Sequence, residues 1–155
     1  MFRDIDINDD TRFIDVGCGK GRVVNFVHCL NKNCQAYGIE LNPDVANYAK
    51  NWAKKIDNVN IINGNAFDIN CDDYDVIFLG RPFMEETFKQ FAEKMVNEIK
   101  HSVTVICYVD VYMSKYLKDK PNWNRVKQGI LYKKGIGIYN FYPQIYSILK
   151  FEPNK

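Results

Sequence analysis

The sequence predicts an α/β fold: a doubly wound, mostly parallel sheet with helices on both faces and antiparallel strands at its C-terminal edge. Three observations carry that expectation. Short apolar runs alternate with segments whose apolar residues recur at helical spacing, and parallel strands need such crossover connections. A glycine-rich stretch, FIDVGCGKGR at residues 13–22, contains the end of the first apolar run and the turn after it. Beyond Asp110 the helical spacing gives way to β-branched and aromatic residues, the composition of strands that pair locally. With 155 residues and no repeat, low-complexity stretch or Pro/Gly-rich linker, the chain reads as one domain over residues 1–155.

Taken in order, Thr11 to Val16 is the first strand, ending at the glycines. Val23, Phe26, Val27 and Leu30 then recur at helical spacing. Residues 36–40, AYGIE, form the second strand. Asn42-Pro43 offers an N-cap and a proline at the first helical position, where its missing N–H costs nothing. Val45, Tyr48, Ala49, Trp52 and Ile56 give that helix one apolar face. Val59 to Ile62 is the third strand and Asp75 to Leu79 the fourth. A helix from Glu85 to Lys100 buries Phe88, Phe91, Met95, Val96 and Ile99. Val103 to Val109 is near-continuously apolar, as expected of a strand covered on both faces. Tyr112 to Tyr116 reads as a short helix ended before Pro121. From Trp123 onward two or three strands are expected, with Gly129, Gly135 and Gly137 as breaks, and Tyr139 to Phe151 forms either one bent strand or two.

Composition narrows the function classes. Apolar residues at 46% are too many for a disordered chain. The net charge of +2 gives no general reason to bind nucleic acid or an anionic membrane, although lysines at 115, 118, 120, 127, 133 and 134 make the C-terminal third locally basic. No apolar run reaches the roughly 20 residues that cross a bilayer, and Met1-Phe2-Arg3-Asp4 begins no secretion signal. Five cysteines form no C-x-x-C pair and only two histidines are present, so no metal site is expected. Reduced thiols in a cytoplasmic protein are the plain reading.

A strand, a glycine turn and a helix place backbone N–H groups at the C-terminal edge of a parallel sheet, where nucleotide-like ligands bind. Alternate glycines imply that something approaches that backbone closely. Three ligands compete for the turn. A triphosphate loop needs G-x-x-x-x-G-K-[ST], but Lys20 is followed by Gly21, which excludes that route. A dinucleotide fingerprint needs G-x-G-x-x-G, and the third glycine here falls one residue early. The G-x-G-x-G spacing after an acid, Asp15-Val16-Gly17-Cys18-Gly19-Lys20-Gly21, resembles motif I of the class I methyltransferases that use S-adenosylmethionine. That ligand carries an ammonium and a sulfonium and no pyrophosphate, so a carboxylate beside the loop favours it.

The resemblance covers roughly residues 11–110 and implies a Rossmann-like fold. It implies that Asp15, Gly17, Cys18, Gly19 and Gly21 bind the cofactor. Glu40, 19 positions past Gly21, would accept the ribose hydroxyls, with Leu41 beside it. A dehydrogenase puts its acid at a similar distance, so Glu40 alone does not separate the two cofactors. In "NGNAFDI", residues 63–69, Asn65 replaces the family's acid and keeps a carbonyl acceptor for an adenine amino group, while Ala66 and Phe67 would line the base. Phe67 serves equally well as core.

The fourth strand runs into Leu79-Gly80-Arg81-Pro82-Phe83, similar to small bacterial members that carry Leu-Phe-Asn-Pro-Phe there. Arg81, Pro82 and Phe83 are therefore the candidate catalytic residues. Amino-directed relatives use the asparagine to accept hydrogen bonds from the target nitrogen, a task arginine cannot perform. Arg81 would orient an acidic substrate or neutralise an oxygen nucleophile; alternatively the domain binds cofactor without transferring methyl and acts through a protein partner. Asp110 and Tyr112 are candidates for a base by position, and Phe83, Tyr112, Tyr116 and Trp123 for an acceptor pocket. The acceptor is expected to be a small molecule or a protein. The missing amino-target motif and near-neutral charge weigh against nucleic acid.

Overall fold

The computed structural model describes residues 1–132 and 143–153. Strand β1 (Arg12–Val16) leads through the glycine turn to helix α1 (Arg22–Leu30), then β2 (Gln35–Glu40), α2 (Pro43–Ala53), β3 (Val59–Asn63), β4 (Val76–Leu79), α3 (Glu85–Glu98), β5 (Val103–Tyr108), β6 (Trp123–Tyr132) and β7 (Pro143–Phe151). Short 3-10 turns sit at residues 2–4, 66–68, 71–73 and 113–116. The sheet has the order β3-β2-β1-β4-β5-β7-β6. Strands β1 to β5 pair in parallel, whereas β7 runs antiparallel to both β5 and β6. The strand order therefore reverses between β1 and β4, and their C-terminal ends open side by side at that switch point.

Two cores cover the two faces of this sheet. Phe13, Val24, Val27, Ala36, Ala49, Ala53, Phe78 and Ile106 pack under α1 and α2. Ile14, Ile77, Leu79, Phe88, Phe91, Met95, Val105 and Leu149 pack under α3. Residues of one strand divide between the cores by alternation, as Phe13 and Ile14 do, which is the period-2 geometry of a pleated strand. Asn42 caps α2 as its position predicts, its side-chain oxygen accepting from the amides of Asp44 (3.0 Å) and Val45 (3.2 Å), with Pro43 in the first turn.

Several elements differ from the sequence reading, each for a local reason. In α1 the buried residues are Val24 and Val27, while Phe26 and Leu30 are exposed. In α2 three alanines, Ala46, Ala49 and Ala53, face the sheet and the larger Tyr48 stands exposed; small residues let the helix approach closely. Asp75 lies outside β4 because its carboxylate accepts from the Arg12 amide at 2.7 Å and pairs with the guanidinium at 2.9 Å. Strand β5 ends at Tyr108 because Val109 takes a φ of 56° and turns the chain. The helix expected at Tyr112 to Tyr116 is a single 3-10 turn. Gly129 is no break: it lies inside β6 opposite Tyr146, whose ring would stand 2.6 Å from a Cβ there. Residues 143–151 form one strand; Gly135, Gly137 and Tyr139 to Tyr142 lie outside the described residues. No helix among the described residues is long and apolar enough to cross a membrane.

Candidate active site

The glycine turn is tied to β2 by its backbone: the amides of Gly17 and Cys18 both donate to the Ile39 carbonyl, at 2.9 and 3.0 Å. Gly17, Gly19 and Gly21 have φ values of 73°, 56° and 77°, a region that costs an L-residue roughly 1–2 kcal/mol. The close approach inferred from the sequence has mixed origins. A Cβ on Gly17 would lie 2.8 Å from the Pro82 Cβ, and one on Gly21 would lie 2.6 Å from Cζ2 of Trp52. At those two positions the protein's own side chains exclude a larger residue. Above Gly19 nothing stands within 4 Å, so the turn is open there.

Two carboxylates flank that opening. Glu40 ends β2, and its Oε2 accepts from the Gly19 amide at 3.0 Å while Oε1 accepts from the Asn42 amide at 2.9 Å. A carboxylate oxygen has capacity for about two donors, so each oxygen retains one for a hydroxyl of a vicinal diol. Asp15, on β1, is 3% exposed and makes no side-chain hydrogen bond among the described residues. Burial, with the nearby Glu40 charge, pushes its carboxyl up to about 7. A cation placed beside it would draw that value down. The Cys18 thiol is pushed up to about 12 by burial and by the same two carboxylates, and its sulfur packs toward Gly38. Cys18 therefore offers the site its backbone only.

Leu41, the next residue after Glu40, is 70% exposed. Ala66 is buried and Phe67 half-buried in the 3-10 turn beyond β3. The Asn65 side-chain oxygen accepts from the Phe67 amide at 3.0 Å as the cap of this turn, which leaves it one further acceptor position. The Phe67 ring packs on Phe83 and Phe91, with centroids 5.8 and 5.5 Å away.

After β4 the chain turns sharply: Arg81 has a φ of 56°, is exposed, and makes no ion pair or side-chain hydrogen bond among the described residues. Pro82 rests against Gly17, and Phe83 joins the aromatic cluster on Phe67 and Phe91. The Tyr112 hydroxyl donates to the Phe83 carbonyl, tying the turn after β5 to the turn after β4. Asp110 is buried; its Oδ1 accepts from the Ser114 amide at 2.9 Å and its Oδ2 has no partner. Tyr116 donates to Glu85 at 2.8 Å. Trp123, 2% exposed, lies in the core beside Phe151, the alternative to an acceptor pocket that aromatics at such spacing more often take.

The sequence reading missed Met84 and Val111. They are 81% and 70% exposed and follow the C-terminal ends of β4 and β5, as the exposed Leu41 follows that of β2. Their signal was an apolar residue directly after a strand-end turn. Among the described residues, no three metal-ligating side chains come together.

A glycine turn with two carboxylates at the switch point of a parallel sheet defines a nucleoside-binding α/β domain. Residues 7–140 match the family described as a methyltransferase domain, and the chain belongs to that family. Its fold is similar to that of an RNA methyltransferase from Salinibacter ruber in complex with S-adenosyl-L-homocysteine, at a TM-score of 0.72 and 15% identity over 99% of this chain and 89% of that one. It is also similar to TYW2 from M. jannaschii in complex with AdoMet, at 0.69 and 19% identity over 95% and 71% of the two chains. The precorrin-6y C5,15-methyltransferase of Geobacter metallireducens aligns at 0.67 and 18% identity over 94% and 82%. No curated protein matches the chain.

Proposed function

We propose that this protein is an S-adenosylmethionine-dependent methyltransferase acting on a nitrogen or oxygen nucleophile of a small-molecule or protein acceptor. The observation that carries the reading is the pair of carboxylates around the open space at Gly19. Glu40 has one free acceptor position on each oxygen for the ribose hydroxyls, and the near-neutral Asp15 gains most from a cationic neighbour. Leu41, Asn65, Ala66 and Phe67 form the side on which the adenine lies, and Gly17, Cys18, Gly19 and Gly21 present their backbone to the methionyl end. When bound, the cofactor supplies a methyl group on a sulfonium, activated for in-line displacement.

The chain's own part is alignment. Pro82 against Gly17 fixes the β4 turn beside the cofactor loop, and Phe83, packed on Phe67 and Phe91, fixes the far side of that turn. Arg81 projects from the strained position between them as a permanent cation. It donates to an oxygen nucleophile or an acidic acceptor and takes no proton from either. Met84 and Val111 give the acceptor an apolar rim.

Calorimetric titration with S-adenosylmethionine and S-adenosylhomocysteine tests the reading; failure of folded protein to bind either one rejects it. Glu40→Ala should weaken both by roughly tenfold to a few hundredfold, as for loss of charged hydrogen bonds. Arginine in place of an acceptor-directed asparagine also favours a second reading, a cofactor-binding module that works through a protein partner. That module binds cofactor with no turnover, and Arg81→Asn would awaken amine methylation if an active site had been lost.

A further inference from the structure

The glycine turn has a second face, and a groove of about 1030 Å³ lies on it. Its walls include Lys20, Arg22, Lys55, Tyr48, Trp52 and Ile56. Gly17, Cys18, Gly19 and Gly21 also line it, so it shares the turn's backbone with the cofactor site, but Glu40, Leu41, Asn65, Ala66, Phe67 and Pro82 do not, and its other walls come from α1, α2 and the residues just after α2. The groove also accounts for a misfit in α2. Val45, Tyr48, Trp52 and Ile56, four of the five residues of the apolar face read from the sequence, line this groove, Trp52 and Ile56 also packing against the core, while Ala49, the fifth, is buried with Ala46 and Ala53.

Its chemistry is one-signed. Three cations line it and no carboxylate does. None of Lys20, Arg22 and Lys55 makes an ion pair among the described residues. Lys20 instead lies over the exposed Tyr48 ring, its Nζ 4.9 Å from the centroid, and its carbonyl accepts from Trp52 Nε1 at 3.1 Å. Glu40, which does not line the groove, suits a ligand whose ammonium and sulfonium outweigh its one carboxylate, whereas the three cations of the groove repel that ligand.

We infer that this groove binds a nucleotide unit, its base stacked on Tyr48 and Trp52 and its phosphate held by Arg22, Lys55 and Lys20. Cations interleaved with aromatic rings suit that ligand because every base offers a π-face and every unit a phosphate, and arginine matches phosphate oxygens in pairs. A purely anionic ligand would leave the aromatic wall unused, and an apolar ligand would leave three cations desolvated. The unit is either a free mononucleotide or part of a single strand.

Tryptophan fluorescence reads the groove directly, because Trp123 is buried and Trp52 lines the wall. Uridine monophosphate and hexauridylate are titrated at low salt into protein saturated with S-adenosylhomocysteine. Saturable quenching by the monophosphate identifies a mononucleotide site; quenching by the hexamer alone identifies a strand, and either supports the inference. Arg22→Gln and Lys55→Gln, both at exposed positions, should each weaken binding by roughly three- to tenfold. The inference is overturned if neither probe quenches up to millimolar concentration. It is equally overturned if the Arg22→Gln/Lys55→Gln double variant binds as well as wild type, or if S-adenosylhomocysteine displaces the probe from protein first loaded with the probe alone.

Discussion

Asp15 is the residue whose environment most directly foretells a measurement. Its carboxyl titrates at about 7 where an ordinary aspartate titrates at 3.8, so at neutral pH the free protein holds it part-protonated. A cationic ligand binds the ionised form, and affinity for the cofactor should rise by up to about tenfold per pH unit below 7 and level off above it. Asp15→Asn should flatten that profile in calorimetric titrations. Stability runs the other way. A folded-state value raised above the unfolded one contributes stability that is complete below about 3.8 and lost as pH rises through about 7. The free wild-type protein should therefore lose on the order of 4 kcal/mol between pH 4 and pH 8 from this group, and urea titrations of Asp15→Asn should lack that loss. The glycines allow a second contrast. Gly21→Ala combines a left-handed φ with a clash on Trp52, whereas Gly19→Ala meets only the φ. Urea unfolding should show the larger loss for Gly21→Ala, more than the roughly 1–2 kcal/mol of backbone strain. Cofactor affinity should fall more for Gly19→Ala, whose methyl enters the open space.

Among the elements, α3 links core to site. Phe91 is fully buried and carries both Phe67 and Phe83 on its ring, so one helix supports the cofactor side and the acceptor side together. Phe91→Ala should cost about 3–5 kcal/mol by denaturant unfolding. In the same variant cofactor affinity should also fall, because the Phe67 turn loses its backing. A loss of stability with unchanged affinity would show that Phe67 is held by its own loop, through the Asn65 cap, and not by α3. Helix α2 shows why an apolar stripe is an incomplete guide. Spacing marks one side of the helix as apolar, but a sheet surface accepts whichever side lets the axis come closest, and three alanines allow this. Tyr48 is left to the groove, and Trp52 and Ile56 lie between the groove and the core.

For the molecule as a whole, five free cysteines distribute unevenly: Cys29 is exposed and Cys18, Cys34, Cys71 and Cys107 are buried. Burial pushes the thiols of Cys18 and Cys71 up to about 12 and raises that of Cys107. Thiolate is the reactive form, so a chromogenic disulfide reagent should find one fast thiol in the native protein and four more only after unfolding. Cys29→Ser should abolish the fast phase.

Sequence and tertiary structure divided the rest between them. The order and type of the main elements through β5, the cap on α2 and the G-x-G-x-G turn were legible because each rests on local chemistry: alternation, helical spacing, a capping side chain, a positive φ. The role of Gly129 was not legible, since it depends on the Tyr146 ring from the neighbouring strand. For Trp123 the sequence left pocket and core both open, and the pairing of β6 with β7 decided for core by setting it beside Phe151. The sequence by itself determined that a glycine turn with flanking acids would stand at a sheet edge. Folding decided that Pro82 and Trp52 close that turn at two glycines and leave the third open. It also decided that three cations scattered over 36 positions line one groove beside the turn. Contacts between residues distant along the chain depend on how strands and helices pack, and no local pattern encodes the neighbour a side chain will meet.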